Sequence, residues 1–290
     1  MSIWNQYIVV SSLEEAGASI KQAKAPAKFV AGGTDLLLEV QQNRHSPLET
    51  LVDLSHVPEL SQLEIRERHL FIGAGVPVSQ IASSELVRIH ASAVATATGM
   101  IGGPQVRNSA TLGGNVAHAL PAADGMIALV ALDAVAVIYS NGMLQEKPIL
   151  TLFRGAGVTA LEACDILVGF KIKLKENNEA STFDRIMRPQ GVALPILNTA
   201  LWLKRQEMRI VDIRIVFGPS GATPSRAVDV ESVMRGKILS EEMLTNAKAC
   251  LRETVKFRTS KMRATADYRH ELASVLLDKV FKETWKKAEE

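Results

Sequence analysis

Cysteine is nearly missing from this sequence of 290 residues: Cys164 and Cys250 are the only two, far apart and in no C-x-x-C spacing. That excludes a disulfide framework, and neither a zinc site nor an iron–sulfur cluster can be assembled from this chain alone. It suits a reducing cytoplasm. Aromatic residues make up only 5%, and 33 Lys and Arg against 31 Asp and Glu leave a formal charge of +2, so no basic field marks a nucleic-acid partner. No run of 18 apolar residues occurs, and the start M-S-I-W-N-Q-Y lacks a basic segment followed by an apolar one. A membrane span and a secretory leader are therefore not expected. The histidines (His45, His56, His69, His90, His118, His270) show no H-x-x-H or H-E-x-x-H spacing, and G-x-S-x-G is absent, which speaks against a metal centre and against serine hydrolysis.

Glycine, by contrast, is concentrated where it counts. Gly102 to Asp124 reads G-G-P-Q-V-R-N-S-A-T-L-G-G-N-V-A-H-A-L-P-A-A-D, with almost no helical or strand period, and such a long irregular stretch inside a compact domain is usually functional. Paired glycines remove Cβ atoms and allow positive φ, so that consecutive backbone N–H groups can converge on an anion, with Thr111 and Asn115 adding short polar side chains. Ala31-Gly32-Gly33-Thr34-Asp35 repeats that chemistry about eighty residues earlier, after the apolar run Lys28-Phe29-Val30 and before Leu36-Leu37-Leu38. The two loops read as halves of one phosphate cradle.

In chain order, Ser12-Leu-Glu-Glu15 has capping-box spacing ahead of a short amphipathic helix, Lys28 to Ala31 reads as a strand, Thr34 as the cap of a second helix, and Leu51 to Leu54 as another strand. That order predicts a small parallel layer with the first glycine loop at a strand's carboxyl end. A hairpin is expected around Glu67-Arg68, one helical stretch from Pro77 through Ala97, a helix over Ala122 to Leu132, a hairpin on Asn141-Gly142, and a strand over Ile166 to Leu174. A polar linker from Lys175 to Ser181 precedes strands at Phe183–Met187, Ile196–Lys204 and Met208–Phe217, then helices at Ala227–Met234, Glu241–Val255 and Asp267–Lys287. The expected class is α+β, with lobes 1–58 and 59–175 and a sheet-plus-helices domain over 181–290.

The motif Val30-Ala-Gly-Gly-Thr-Asp-Leu36, taken with Ile101-Gly-Gly-Pro-Gln-Val-Arg-Asn-Ser-Ala-Thr-Leu-Gly-Gly-Asn115 and then Asp124 after eight residues, resembles the flavin-binding subunit of the molybdenum hydroxylases, the xanthine dehydrogenase and carbon monoxide dehydrogenase family. The segment from Arg263 to Ala273 is similar to that family's R-x-S-A-E-Y-R-x-x-L-A, so the resemblance spans nearly the whole chain. It implies a two-lobed FAD-binding fold of the vanillyl-alcohol-oxidase-like type and a non-covalent FAD. The cofactor would be held by Phe29, Val30, Ala31, Gly32, Gly33, Thr34, Asp35 and Leu36, and by Thr111, Leu112, Gly113, Gly114 and Asn115. Asp124 would bond the flavin's sugar chain, Ile101 and Leu167 would flank the adenine, and Arg107 and Asp133 are weaker candidates. Where the family commonly has F-K-x-x-x-R, this chain has Phe183-Asp184-Arg185-Ile-Met-Arg188. The lysine slot falls on Asp184, which is kept as a candidate contact to the cofactor, with Arg185 as the alternative source of the positive charge.

The resemblance implies a subunit that receives electrons from a large molybdopterin subunit through a small [2Fe-2S] subunit and passes them to NAD+ or another acceptor. Two alternatives stand beside it: a stand-alone FAD oxidoreductase of the wider superfamily, and a flavin-free assembly or scaffold homologue.

Overall fold

A computed structural model of the chain describes residues 4–42, 47–188, 194–261 and 263–289. His45 and residues 189–193, which follow the segment compared with the family's lysine–arginine slot, lie outside them. The chain begins with β1 (Trp4–Val9), α1 (Leu13–Gln22), β2 (Ala27–Val30), α2 (Leu36–Gln41) and β3 (Leu48–Asp53). The three strands are parallel in the order β1-β3-β2. The capping spacing before α1 works as expected: Ser12 Oγ accepts from Glu15 N at 3.1 Å, and Glu15 Oε2 accepts from Ser11 N at 2.7 Å. Strand β1 had no alternating signal because it is a mostly exposed edge strand, held through its main chain.

The second layer is antiparallel. It is built from β4 (Leu63–Arg66) and β5 (His69–Gly73), then a run of short helices α3 (Val78–Ser83), α4 (Glu85–His90), α5 (Ser92–Gly99), α6 (Pro104–Ser109), α7 (Leu112–Ala117) and α8 (Asp124–Ala131), then β6 (Val135–Ser140), β7 (Met143–Pro148), the small pair β8 (Phe153–Gly155) and β9 (Val158–Thr159), and β10 (Ile166–Lys173). Strand order is β4-β5-β10-β6-β7. Both residues of the Asn141-Gly142 turn have positive φ, at 50° and 83°, as a type I′ hairpin requires.

Two expectations are corrected here. The stretch from Pro77 to Ala97 is three helices, because Ser84 leaves the helical region and caps α4 through its hydroxyl, and Ala91 at φ −145° breaks the chain again. The glycine-rich stretch is also not irregular throughout. It holds α6 and α7 and ends on α8, and helices of six residues interrupted by glycine are too short to show a period.

The remainder is β11 (Glu179–Met187), β12 (Pro195–Gln206) and β13 (Arg209–Gly218), an antiparallel meander, followed by α9 (Val228–Met234), α10 (Glu241–Thr254) and α11 (Ala266–Lys287). Side chains alternate across a strand, and here both faces are covered. Ala200 and Val216 join the core that contains Met126, Ile127 and Val130 of α8, whereas Leu201, Leu203, Ile215 and Phe217 join the core beneath α11 with Leu276, Val280 and Phe281. The sheet is thus the wall between two cores. Helix α8 is buried along its whole length, which explains its all-round apolar composition. Among the described residues no helix is long and apolar enough to cross a membrane.

Candidate functional site

The turn after β2 sits where a parallel sheet opens at its carboxyl end. Gly33 takes φ +65°, and a Cβ on Gly32 would lie 2.1 Å from the carbonyl oxygen of Ser109, so the two glycine-bearing segments touch backbone to backbone only because Gly32 has no side chain. The N–H groups of Gly32, Gly33, Thr34 and Asp35 donate to no protein group among the described residues. Thr34 does not cap α2. Asp35 occupies the cap position with φ −93° and makes no side-chain cap bond.

The second glycine pair is used differently from the expected cradle. Gly113 N donates to Ala74 O at 2.9 Å, Gly114 N to Thr111 Oγ1 at 3.0 Å, and Asn115 N to Thr111 O at 3.0 Å, so Thr111 is the cap of α7 and these donors are already spent. Asn115 Oδ1 accepts from Met126 N at 3.2 Å and ties α7 to the first turn of α8. The main-chain cradle is therefore one-sided, with free donors on the first loop and a rigid, capped floor opposite.

Between them lies a cleft of about 840 Å³, large enough for a cofactor within the usual span of about 300–1,000 Å³. Its walls carry apolar groups left exposed, among them Val106 at 40%, Leu120 at 41% and Leu194 at 61%. Asp124 is 4% exposed at its base. Its carboxylate is held by Arg185 Nη1 from β11 and by Asn198 Nδ2 from β12 at 2.6 Å, while the same Asn198 amide donates to Ala122 O at 3.1 Å. Burial pushes the Asp124 carboxyl up from the ordinary carboxylate range, and the Arg185 guanidinium and Asn198 amide pull it back. These contacts clamp the start of α8 to the C-terminal sheet.

The family described as the FAD binding domain in molybdopterin dehydrogenase matches residues 3–172, more than half of the chain, and the CO dehydrogenase flavoprotein C-terminal domain matches residues 181–284. The chain belongs to the FAD-binding subunits of the molybdenum hydroxylases. It is 27% identical over 281 residues to the nicotinate dehydrogenase FAD-subunit of Eubacterium barkeri, covering 95% of this chain and 94% of that one. It is 30% identical over 273 residues to the nicotine 6-hydroxylase medium subunit of Paenarthrobacter nicotinovorans, covering 94% of each. In three dimensions it is similar to a chain of carbon monoxide dehydrogenase from Hydrogenophaga pseudoflava, with a TM-score of 0.91, 25% identity and 97% of both chains covered.

For this flavin subunit, the cleft gathers Phe29, Val30, Ala31, Gly32, Gly33, Thr34, Asp35, Leu36, Ile101, Thr111, Gly114, Asn115 and Asp124, together with Arg185. Four expected residues are elsewhere. Leu112 and Leu167 are core residues, 0% and 8% exposed. Gly113 packs its Cα against Ala74, where a Cβ would come within 2.5 Å of the Ala74 Cβ. Asp184 points toward α11 and pairs with Lys279 Nζ at 2.6 Å, so on β11 the side chain that reaches the cleft is Arg185. Alternation along a strand dictates that outcome for adjacent residues. Arg107 stays out of the cleft and donates to the carbonyls of Ile101 and Gly102, at 3.1 and 2.7 Å, which braces the turn before α6. Asp133 follows α8 at φ 54° and lies 3.9 Å from Arg214.

The cleft also contains residues that the sequence reading did not assign to it: His118, Pro219, and the group Arg258, Ser260, Arg263 and Arg269 from the connection into α11. The sequence signal for Arg263 and Arg269 was the segment from Arg263 to Ala273, where the resemblance was noted without a role, and Arg258 and Ser260 had none.

Proposed function

We propose that this subunit holds FAD non-covalently in the cleft, with the flavin's pyrophosphate on the N–H groups of Gly32 to Asp35 and its rings against Ile101, Val106 and the apolar rim. The observation that carries this reading is the row of unspent main-chain donors facing an 840 Å³ cleft. When bound, FAD supplies the redox chemistry, taking electrons singly from an iron–sulfur centre and giving them up in pairs. The protein's own share is binding and orientation. Arg185 and Asn198 keep Asp124 fixed, and no side chain is needed as nucleophile or general base.

In this reading the chain works beside a large molybdopterin subunit and a small [2Fe-2S] subunit, and hands electrons to NAD+ or another acceptor. The relatives named as medium and FAD subunits support it, as does the shortage of cysteine ligands. We place the complex in the cytoplasm, where the unpaired thiols of Cys164 and Cys250 stay reduced, and we divide the chain into a flavin unit over 1–175 and a C-terminal unit over 181–290. The test is direct. The purified chain is expected to be yellow and to release its whole flavin on heat denaturation as FAD. Colourless protein that takes up no added FAD rules the reading out in favour of a flavin-free scaffold.

A further inference from the structure

Half-buried and buried arginines in this chain generally have an acid. Arg185 pairs with Asp124, Arg226 with Glu231 at 2.6 Å, and Arg205 with Glu289 at 2.5 Å. Buried Arg269 and half-buried Arg263, which line the cleft beside the exposed Arg258, break the pattern. Arg258 and Arg263 stand in the connection between α10 and α11, a turn closed by Ser260 N donating to Ala264 O at 2.9 Å, and Arg269 follows in the first turns of α11. Among the described residues none of the three forms an ion pair, and all three line the cleft.

Arg269 is 1% exposed. Its Nη1 donates to Arg258 O at 2.7 Å, but its Nε is buried without an acceptor. Burial, and after it the positive charges of Arg258 and Arg263, hold its pKa below the ordinary arginine value. A buried guanidinium among like charges is strongly unfavourable unless an anion joins it. A carboxylate would satisfy one fork, whereas three guanidinium groups and the Ser260 hydroxyl lining one cleft match a group with several oxygens and more than one negative charge.

We propose that Arg258, Arg263 and Arg269, with Ser260, form an oxyanion site for a phosphate group of a nucleotide lying in the cleft that they line together with Gly32 to Asp35. The proposal rests on the reading of the cleft as a nucleotide site. The phosphate has two sources, the flavin's own pyrophosphate or a second nucleotide that arrives as electron acceptor.

The full chain, with and without FAD, is titrated calorimetrically with inorganic phosphate and with ADP, and FAD affinity is measured separately by fluorescence quenching. Arg258→Gln and Arg263→Gln are compared with the wild type, and Arg269→Lys, which keeps the charge and loses the fork, is the conservative variant. If phosphate binds the FAD-loaded chain and weakens at least tenfold in the Gln variants while FAD affinity holds, a second nucleotide is the occupant. If phosphate binds only the FAD-free chain and the Gln variants lose at least tenfold in FAD affinity, the flavin's phosphate is. Either result supports the site. Should Arg269→Lys fail to fold, Arg258→Gln and Arg263→Gln, whose side chains make no hydrogen bond among the described residues, decide the matter. Folded Gln variants with wild-type affinity for both phosphate and FAD overturn the proposal, and so does a wild type that binds phosphate in neither form. A wild type that takes up no FAD yet binds phosphate through these arginines keeps the oxyanion site and removes the flavin reading.

Discussion

The glycines of the second pair do different work, and substitution separates them. A Cβ on Gly113 would meet Ala74 Cβ at 2.5 Å and Ala74 O at 2.6 Å, so Gly113→Ala overpacks the junction and should cost about 1–3 kcal/mol, read as a lower urea midpoint. Gly114 faces the cleft, and its nearest obstacle is Thr111 Oγ1 at 3.1 Å. Gly114→Val should therefore fold and lose FAD. A folded Gly114→Val protein with wild-type flavin content would show that this turn only packs. Asp124 gives the second residue-scale prediction. Arg185 is 9% exposed at its side chain, and Arg185→Met leaves a buried carboxylate with only Asn198 for a donor, which should cost about 3–5 kcal/mol in denaturant titration. A loss below about 1 kcal/mol would mean that solvent reaches the carboxylate. Both phenotypes follow from contacts that no local sequence pattern records, since Asp124 and Arg185 are 61 positions apart.

At the scale of elements, β1 shows what a pattern can hide. Its side chains are largely exposed, and Tyr7 anchors it by donating its phenol to Asp53 Oδ2 on β3 at 2.6 Å. That bond, with burial and the negative charge of Asp53, raises the Tyr7 pKa to about 12. A phenol whose folded pKa lies above its unfolded value of about 10 stabilises fully below pH 10, and the contribution is lost as pH rises through 12. Tyr7 is 48% exposed, so solvent screening holds the contribution to about 1 kcal/mol or less. Tyr7→Phe should lower stability by that amount at pH 8 and remove one high-pH phenol transition from the ultraviolet titration; an unchanged titration would dissociate Tyr7 from Asp53. Hairpins, the C-terminal meander and its helices were legible because their turns and periods are local: Asn141-Gly142 dictates a turn whatever surrounds it. The helices α6 and α7 were not, because six residues cannot establish a period and Gly113 is there for Ala74, a partner nearly forty positions away. The site was legible in part for the same reason. Gly32 and Gly33 announce a close approach, but which strand face carries Asp184 and which carries Arg185 depends on the registration of β11 against β12, and the arginines before α11 acquire meaning only once the start of that helix is brought to the cleft.

In the whole molecule the C-terminal sheet is a wall between two cores, and the proposed function separates redox chemistry in the cleft from substrate chemistry elsewhere. A [2Fe-2S] cluster takes four protein ligands, usually cysteines, and the chain has Cys164 and Cys250 alone. In the proposed reading, electrons reach the cleft from another protein, and a hydroxylase substrate is bound by another protein too. The isolated FAD-loaded subunit is expected to oxidise NADH slowly or with artificial dyes only, and to leave purines, aldehydes and aromatic heterocycles untouched. Turnover should appear when a molybdopterin subunit and an iron–sulfur subunit are added, and it should fall with the flavin content of Gly114→Val while the electron supply upstream, followed by bleaching of the iron–sulfur absorbance with substrate, stays intact. Hydroxylation of any such substrate by this chain with FAD as its sole cofactor would replace the subunit reading with a stand-alone oxidoreductase. Bleaching that is lost together with turnover in Gly114→Val would place the flavin ahead of the iron–sulfur centre, the reverse of the order argued here.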